Sequence, residues 1–261
     1  MDAIVTAGGM LNPDDPLFAI GGGIEKKALI PMLGKPLIGW VLDALRGSGM
    51  VENIAVVGLS SQELNYNDPL LHFTPARGDL VSNIFAALDT LRSVNPQVKK
   101  LLIFSSDIPL VTPEIVRGFV NECGNQEQDF YYSAVEESVM EASFPDSKRT
   151  FVPFKDGRYS GGDALFVDVA AAHGNTKLAR AATGSRKNYL AQARLLGFSF
   201  IIKFIFRMMT ADEAVVHASK KANLRAKVVL TQYPELGMDV DKPHQYYMIE
   251  AELKKRIAKT T

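Results

Sequence analysis

The first 120 residues alternate short apolar runs with longer amphipathic segments, and this rhythm limits the folds that the chain can adopt. Three of the runs have the composition of buried parallel strands, at residues 3–7 (AIVTA), 53–58 (NIAVVG) and 101–105 (LLIFS). A segment with helical spacing follows each of them, introduced in turn by Pro36, Asp79 and Thr112. Strands and helices that alternate in this way predict an α/β fold with a mostly parallel sheet covered on both faces.

The rhythm changes after residue 125. Further strands and a final helix are predicted at residues 130–135, 150–167 (a hairpin turning near Asp156 and Gly157), 226–230 and 243–257. A helical pattern occupies residues 178–224, and no linker or repeat divides the chain. We therefore predict one domain over residues 1–261, with a helical insertion at about 178–224.

Composition restricts the partners and the compartment. The formal net charge of zero gives no electrostatic reason to expect a nucleic-acid partner. The single cysteine, Cys123, cannot form an internal disulfide, and the four histidines show no zinc-binding spacing. Because a strand pattern begins at Asp2, we expect no signal peptide and a cytoplasmic location.

One apolar segment could be mistaken for a membrane span. Residues 195–209 (LLGFSFIIKFIFRMM) are too few to cross a bilayer, and Lys203 and Arg207 interrupt them. We predict a buried or interface helix here and no membrane span. A homodimer or partner contact, or association with a membrane surface, are the alternative interpretations.

A pair of glycines ends the first predicted strand. In parallel α/β sheets, ligands bind beyond the carboxyl ends of the strands, and glycine lets backbone N–H groups approach a phosphate closely. The segment Ala7-Gly8-Gly9 is therefore a candidate nucleotide-binding loop. The G-x-x-x-x-G-K-[ST] and G-x-G-x-x-G fingerprints are absent here, which disfavours kinases, ATPases and dehydrogenases.

The residues that follow this loop resemble a known family. A-G-G, a long loop, then K-A-L and G-K-P-L-I before a helix resemble the signature of the MobA-like NTP transferases, a nucleotidyltransferase family. The resemblance implies a Rossmann-like three-layer fold of the nucleotide-diphospho-sugar transferase (GT-A) type. It also implies that Ala7, Gly8 and Gly9 wrap the nucleotide and that Lys27 neutralises the triphosphate. A solvated surface lysine is the alternative interpretation of Lys27.

Two further matches concern aspartates. Asp107 in S-S-D-I-P-L resembles the family's metal-binding acid, and Asp241 in D-V-D-K-P resembles the second metal ligand, with Asp239 as a ligand or its partner. The cofactor implied is Mg²⁺, which prefers carboxylate oxygens and neutralises charge on phosphoryl groups. The alternatives are that Asp107 caps a turn and that Asp241 caps the last helix.

Two weaker matches concern substrate contacts. Gly78 and Ser82 resemble the segment that contacts base and ribose, although ordinary helix capping explains them equally well. Gly161 and Gly162 resemble the residues that line the acceptor side, with a plain turn as the alternative.

The chain also departs from the family pattern. Residues 10–25 contain no arginine, whereas the family's first loop usually carries one that grips the leaving phosphates. Lys26 stands where proline is usual, and Lys242 replaces the threonine of the aspartate motif. These departures predict either that Lys26 and Lys27 share the phosphate contacts or that catalysis is reduced.

The function implied is that of a Mg²⁺-dependent nucleotidyltransferase of the EC 2.7.7 type. It would transfer a nucleoside monophosphate from an NTP to a small phosphorylated or hydroxyl acceptor and release pyrophosphate. One alternative is a catalytically degenerate domain that binds nucleotide and serves regulation or assembly. Another is a glycosyltransferase that uses a nucleotide sugar.

Overall fold

A computed structural model of the chain describes residues 1–172, 200, 203 and 206–260. Most of the predicted helical insertion at about 178–224, and most of the apolar segment at 195–209, therefore lie outside the described residues. Among the helices of the described part, none is long and apolar enough to cross a membrane.

The predicted strands and helices of the described part occur in the predicted order, together with shorter elements that the sequence did not predict. The strands are β1 (Asp2–Thr6), β2 (Pro31–Met32), β3 (Lys35–Pro36), β4 (Ile54–Val57), β5 (Leu71–Thr74), β6 (Lys100–Ser105), β7 (Phe130–Glu136), β8 (Val152–Pro153), β9 (Arg158–Asp168) and β10 (Ala226–Leu230). The helices are α1 (Pro16–Ile20), α2 (Leu37–Gly47), α3 (Leu80–Val94), α4 (Pro113–Glu122), α5 (Glu137–Ser143), α6 (Val169–Ala172), α7 (Ala211–Ala222) and α8 (Pro243–Thr260). Short 3-10 turns are formed by Lys27–Leu29 and Pro234–Gly237.

An eight-stranded sheet organises these elements. Its strand order is β10-β7-β9-β6-β1-β4-β5, with β8 paired to β9. Strands β6, β1, β4 and β5 are parallel, and each connection between neighbours is a crossover. The alternating pattern predicted this for β1, β4 and β6, whereas β5 was not predicted. Strand β9 is antiparallel to both β6 and β7, and β10 is parallel to β7. The predicted mostly parallel, Rossmann-like α/β sheet is confirmed.

The two faces of the sheet are covered by different helices. Alternation along β1 directs Ala3 and Val5 towards a core that contains the buried residues of α2 and α4. Ile4 points to the opposite face, where it packs in the core that contains the buried residues of α3. Helix α2 begins at Leu37, and Pro36 precedes it as an extended N-cap residue. Three layers result, and in sheets of this kind ligands bind beyond the carboxyl ends of the parallel strands.

The predicted hairpin is also confirmed. Val152 of β8 pairs with Tyr159 of β9, and the N–H of Phe154 donates to the carbonyl of Gly157 across the turn (2.8 Å). The hairpin's long strand lies inside the main sheet, which the local pattern does not predict.

Candidate active site

The two central strands end side by side. Thr6 of β1 is paired with Ser105 of β6, so the glycine loop and Asp107 leave the sheet at the same edge. The segment before α8 joins them, because the N–H of Val240 donates to the carbonyl of Asp107 (3.0 Å). This backbone contact brings Asp241 to Asp107 across more than 130 positions of the chain.

Three carboxylates converge at this edge. Asp107, Asp239 and Asp241 each offer an oxygen, and these oxygens lie within 4.8 Å of one another. In an octahedral Mg²⁺ shell with bonds of about 2.1 Å, oxygens lie about 3.0 Å apart when adjacent and about 4.2 Å apart when opposite. Separations of up to 4.8 Å are close to these values, so the three carboxylates could hold a divalent cation if their side chains move.

Lys27 lies between two of these carboxylates. Its Nζ donates to Asp107 Oδ2 and to Asp241 Oδ1, both at 2.5 Å. Burial lowers the pKa of Lys27, but the two carboxylates outweigh it, so the pKa is raised and the side chain is a cation at neutral pH. With 14% of its side chain exposed, Lys27 is not a solvated surface lysine.

A backbone hydrogen bond holds Lys27 in place, and the side chain of Ser105 holds Asp107. The N–H of Lys27 donates to the carbonyl of Gly9 (3.0 Å), which ties the turn carrying the ammonium group to the glycine loop. Ser105 Oγ donates to Asp107 Oδ1 at 2.5 Å, opposite the oxygen that Lys27 contacts. Sequence reasoning missed Ser105, although its place at the end of the strand before Asp107 is a usable signal.

Asp239 has a different partner from the other two aspartates. Arg149 Nη1 contacts Asp239 Oδ1, and both side chains are only 13% exposed. Sequence reasoning missed Arg149, which lies 90 positions away in an irregular loop and carries no motif.

Comparison with known proteins identifies the family. Residues 20–188, more than half of the chain, match the MobA-like NTP transferase domain. The chain belongs to this family. A hypothetical transferase from Thermus thermophilus is 31% identical with a TM-score of 0.79, over 94% of this chain and 98% of that one. No curated protein matches the sequence.

Two other solved structures share the fold of this MobA-like chain. A 4-diphosphocytidyl-2C-methyl-D-erythritol synthase from Anaerococcus prevotii is 15% identical with a TM-score of 0.55, and the similarity covers 97% of each chain. A CMP:2-keto-3-deoxy-manno-octonic acid synthetase complexed with CTP is 12% identical with a TM-score of 0.54, over 98% of each chain. At these identities the likeness concerns the fold alone.

The glycine loop of this MobA-like domain rests on a glycine that sequence reasoning missed. Gly58 follows β4 with a φ of 103°, and a Cβ there would lie 2.6 Å from Gly8 Cα. On its other side, the loop approaches Asn83, whose Nδ2 would be 3.4 Å from a Cβ on Gly8. Gly58 could have been suspected, because the run NIAVVG ends in glycine as the run VTAGG does.

Replacing Gly58 with alanine is expected to displace the glycine loop. The added Cβ would clash with the backbone of Gly8 and would occupy a left-handed conformation, which together cost about 2–4 kcal/mol of unfolding free energy. NTP affinity should fall as well, measured by calorimetric titration with each of the four NTPs. Gly49→Ala is the matched control, because Gly49 has a φ of 68° but open space around its Cβ position. That control should lose stability but keep its NTP affinity; equal NTP affinity in both variants would contradict a role for Gly58 in loop placement.

The predicted base and ribose contacts lie beside the same loop. Asp79 caps α3, since its carboxylate accepts from the N–H of Ser82 (3.0 Å) and from Ser82 Oγ (2.7 Å). Gly78 precedes it with a φ of 91°. Asn83 Oδ1 accepts from the N–H of Arg77 (2.6 Å) and so links this segment to Gly8. Asp79 thus caps the helix as the alternative interpretation expects, and nucleotide contact by Gly78 and Ser82 stays a prediction.

Gly161 and Gly162 lie inside strand β9, so the alternative of a plain turn is wrong. A Cβ on Gly161 would lie 2.0 Å from Tyr132 Oη, and one on Gly162 would lie 2.3 Å from Ser133 Oγ. Close packing of β7 against β9 explains both glycines. The acceptor contact predicted for them stays a prediction.

Lys26 is held away from the carboxylates that Lys27 contacts. Its Nζ pairs with Glu63 Oε1 (2.5 Å) and donates to the carbonyl of Gly58 (3.1 Å). These contacts tie the loop before Lys27 to the end of β4. To contact the phosphates of a nucleotide together with Lys27, Lys26 would have to break its ion pair with Glu63.

Proposed function

We propose that this chain is a Mg²⁺-dependent nucleotidyltransferase that transfers a nucleoside monophosphate from an NTP to a small acceptor and releases pyrophosphate. The observation that carries the proposal is the convergence of Asp107, Asp241 and Lys27 beside the glycine loop. Membership in the MobA-like NTP transferase family supports it. We expect the reaction to take place in the cytoplasm, with neither a nucleic acid nor a membrane as partner.

The chain's own residues have separable roles in this reaction. Asp107 and Asp241 would hold Mg²⁺, which when bound neutralises charge on the phosphoryl oxygens. The backbone of Ala7, Gly8 and Gly9 would position the nucleotide at the end of β1. Lys27 would leave the carboxylates and contact the triphosphate. The acceptor's phosphate or hydroxyl oxygen would then attack the α-phosphorus in line as the bond to the pyrophosphate oxygen breaks, with no covalent enzyme intermediate. A hydroxyl acceptor would lose its proton to water.

The products separate this function from the two alternatives. Glycosyl transfer would release a nucleoside diphosphate, whereas nucleotidyl transfer releases pyrophosphate. A degenerate, regulatory domain would bind a nucleotide and release neither. Three carboxylate oxygens that lie within 4.8 Å of one another, as metal-assisted transfer would need, support catalysis over a purely regulatory role.

The test is a screen for acceptor-dependent pyrophosphate release. Each of the four NTPs is incubated with Mg²⁺ and with panels of sugar phosphates, other phosphate monoesters and polyols, and pyrophosphate is measured enzymatically. The proposal expects release with a preferred base, which stops when EDTA removes the metal. Release of a nucleoside diphosphate from nucleotide sugars, or nucleotide binding without any turnover across the panels, would overturn it.

A further inference from the structure

Asp239 differs from the other two aspartates of the candidate metal site in the cation that it contacts. Three carboxylates converge, yet only Asp107 and Asp241 share the ammonium group of Lys27. Asp239 instead places Oδ1 against the guanidinium of Arg149. An oxygen engaged by a guanidinium has much of its charge compensated, so it is a poorer metal ligand than the same oxygen would be without that partner.

The loop that carries Arg149 is fixed in place. Ser147 is fully buried, and its Oγ donates to Glu141 Oε1 of α5 (3.5 Å). Asp146 and Lys148 have φ angles of 62° and 52°, a conformation that non-glycine residues keep only where the surroundings impose it. The guanidinium is therefore presented by a constrained loop.

The same loop is tied to the segment that carries the aspartates. His244 Nε2, in the first turn of α8, donates to the carbonyl of Ser147 (3.2 Å). The Arg149–Asp239 contact forms a second connection between the two segments. Arg149 Nε is buried and has no hydrogen-bond partner in the described part of the chain, and Asp239 is the carboxylate that the described residues place against this guanidinium.

We infer that Arg149 is a positioning residue which withholds Asp239 from the metal, so that the protein binds the ion through Asp107 and Asp241 alone. This inference rests on the proposed function, because it assumes a divalent cation at these two residues. Cation affinity rises with the number of carboxylate ligands. By limiting that number to two, Arg149 keeps the protein's own affinity for the ion low, so the ion enters with the NTP and leaves with pyrophosphate.

The test measures Mn²⁺ binding without nucleotide, by electron paramagnetic resonance of the free ion. Arg149→Met should bind Mn²⁺ about 10-fold more tightly than the unmodified protein, because a third carboxylate becomes available and a nearby positive charge is lost. Arg149→Lys keeps the charge and should stay near the unmodified value. Arg158→Met is the matched control: Arg158 pairs with Glu137 at 2.8 Å, and its removal should change nothing.

A second variant keeps the test decisive if Arg149→Met fails to fold. In Arg149→Met/Asp239→Asn both charges are removed, and we expect Mn²⁺ affinity within about 3-fold of the unmodified protein, since the pair acts as a neutral unit. A loss of about 10-fold or more in this double variant would show that Asp239 is itself a ligand. Unchanged or weaker Mn²⁺ binding by folded Arg149→Met would likewise overturn the inference.

Asp107→Asn separates this inference from the proposed function. If that variant binds Mn²⁺ as well as the unmodified protein does, the metal site is misplaced and both proposals fail. If it loses Mn²⁺ binding while Arg149→Met shows no gain, the metal site stands and only the role of Arg149 is wrong.

Discussion

Replacing Asp107 with asparagine is expected to slow pyrophosphate release by at least about 100-fold. The change removes a negative charge where carboxylate oxygens converge within 4.8 Å, but it keeps the size of the side chain. Without that charge the site holds a divalent cation poorly, and charge that develops on the α-phosphate is less well neutralised. The measurement is the turnover rate at saturating Mg²⁺ and NTP with the acceptor that the screen identifies.

The control for this prediction is Asp89→Asn. Asp89 is an exposed residue of α3, which packs on the sheet through its opposite side. This variant should keep full turnover. Both variants should unfold at similar temperatures, because Lys27 retains Asp241 as a partner when Asp107 is changed. Turnover by Asp107→Asn within a few-fold of the unmodified enzyme would mean that Asp107 has no part in the chemistry.

Replacing Lys27 with methionine should have two effects of opposite direction. Turnover should fall by about 100- to 1000-fold, because the triphosphate loses its cationic contact. Mn²⁺ affinity measured without nucleotide should rise, because the ammonium group holds the same two carboxylate oxygens that a metal would use. The raised pKa of Lys27 keeps this competing charge present throughout the neutral range in which the assays are run.

The control here is Lys254→Met. Lys254 is an exposed lysine of α8 that pairs with Glu250 within the same helix at 2.8 Å, and its loss should change neither turnover nor Mn²⁺ binding. If Lys27→Met binds Mn²⁺ more weakly than the unmodified protein, the lysine does not compete with the metal. If its turnover is normal, the triphosphate contact assigned to Lys27 is wrong.

The local sequence pattern was sufficient to predict most of the strands and helices in the parallel half of the sheet. Strands β1, β4 and β6 are short apolar runs, and α2, α3 and α4 have apolar residues at helical spacing, so each could be recognised without knowing its neighbours. The hairpin turn near Gly157 was also visible. The position of β9 between β6 and β7 was not, because strand order depends on packing between distant segments.

The residues of the candidate site also fall into two groups, those that local sequence could predict and those that it could not. Asp107 and Asp241 stand in recognisable motifs, and the resemblance to the family implied that they hold the same metal ion. The structure places their carboxylates on the same ammonium group. Arg149 and Gly58 could not be assigned these contacts from local sequence. Arg149 matters because a distant loop folds against Asp239, and Gly58 matters because the end of β4 abuts the end of β1. Such contacts exist only in the folded chain.

The central claim is that Asp107 and Asp241 bind one divalent cation next to the nucleotide. The most direct measurement is anomalous diffraction from crystals grown with Mn²⁺ and a non-hydrolysable NTP analogue. We predict one Mn²⁺ peak about 2.1–2.2 Å from a carboxylate oxygen of both aspartates, with Lys27 Nζ moved onto the triphosphate. A peak ligated by the triphosphate alone, with both carboxylates still paired to Lys27, would contradict the account.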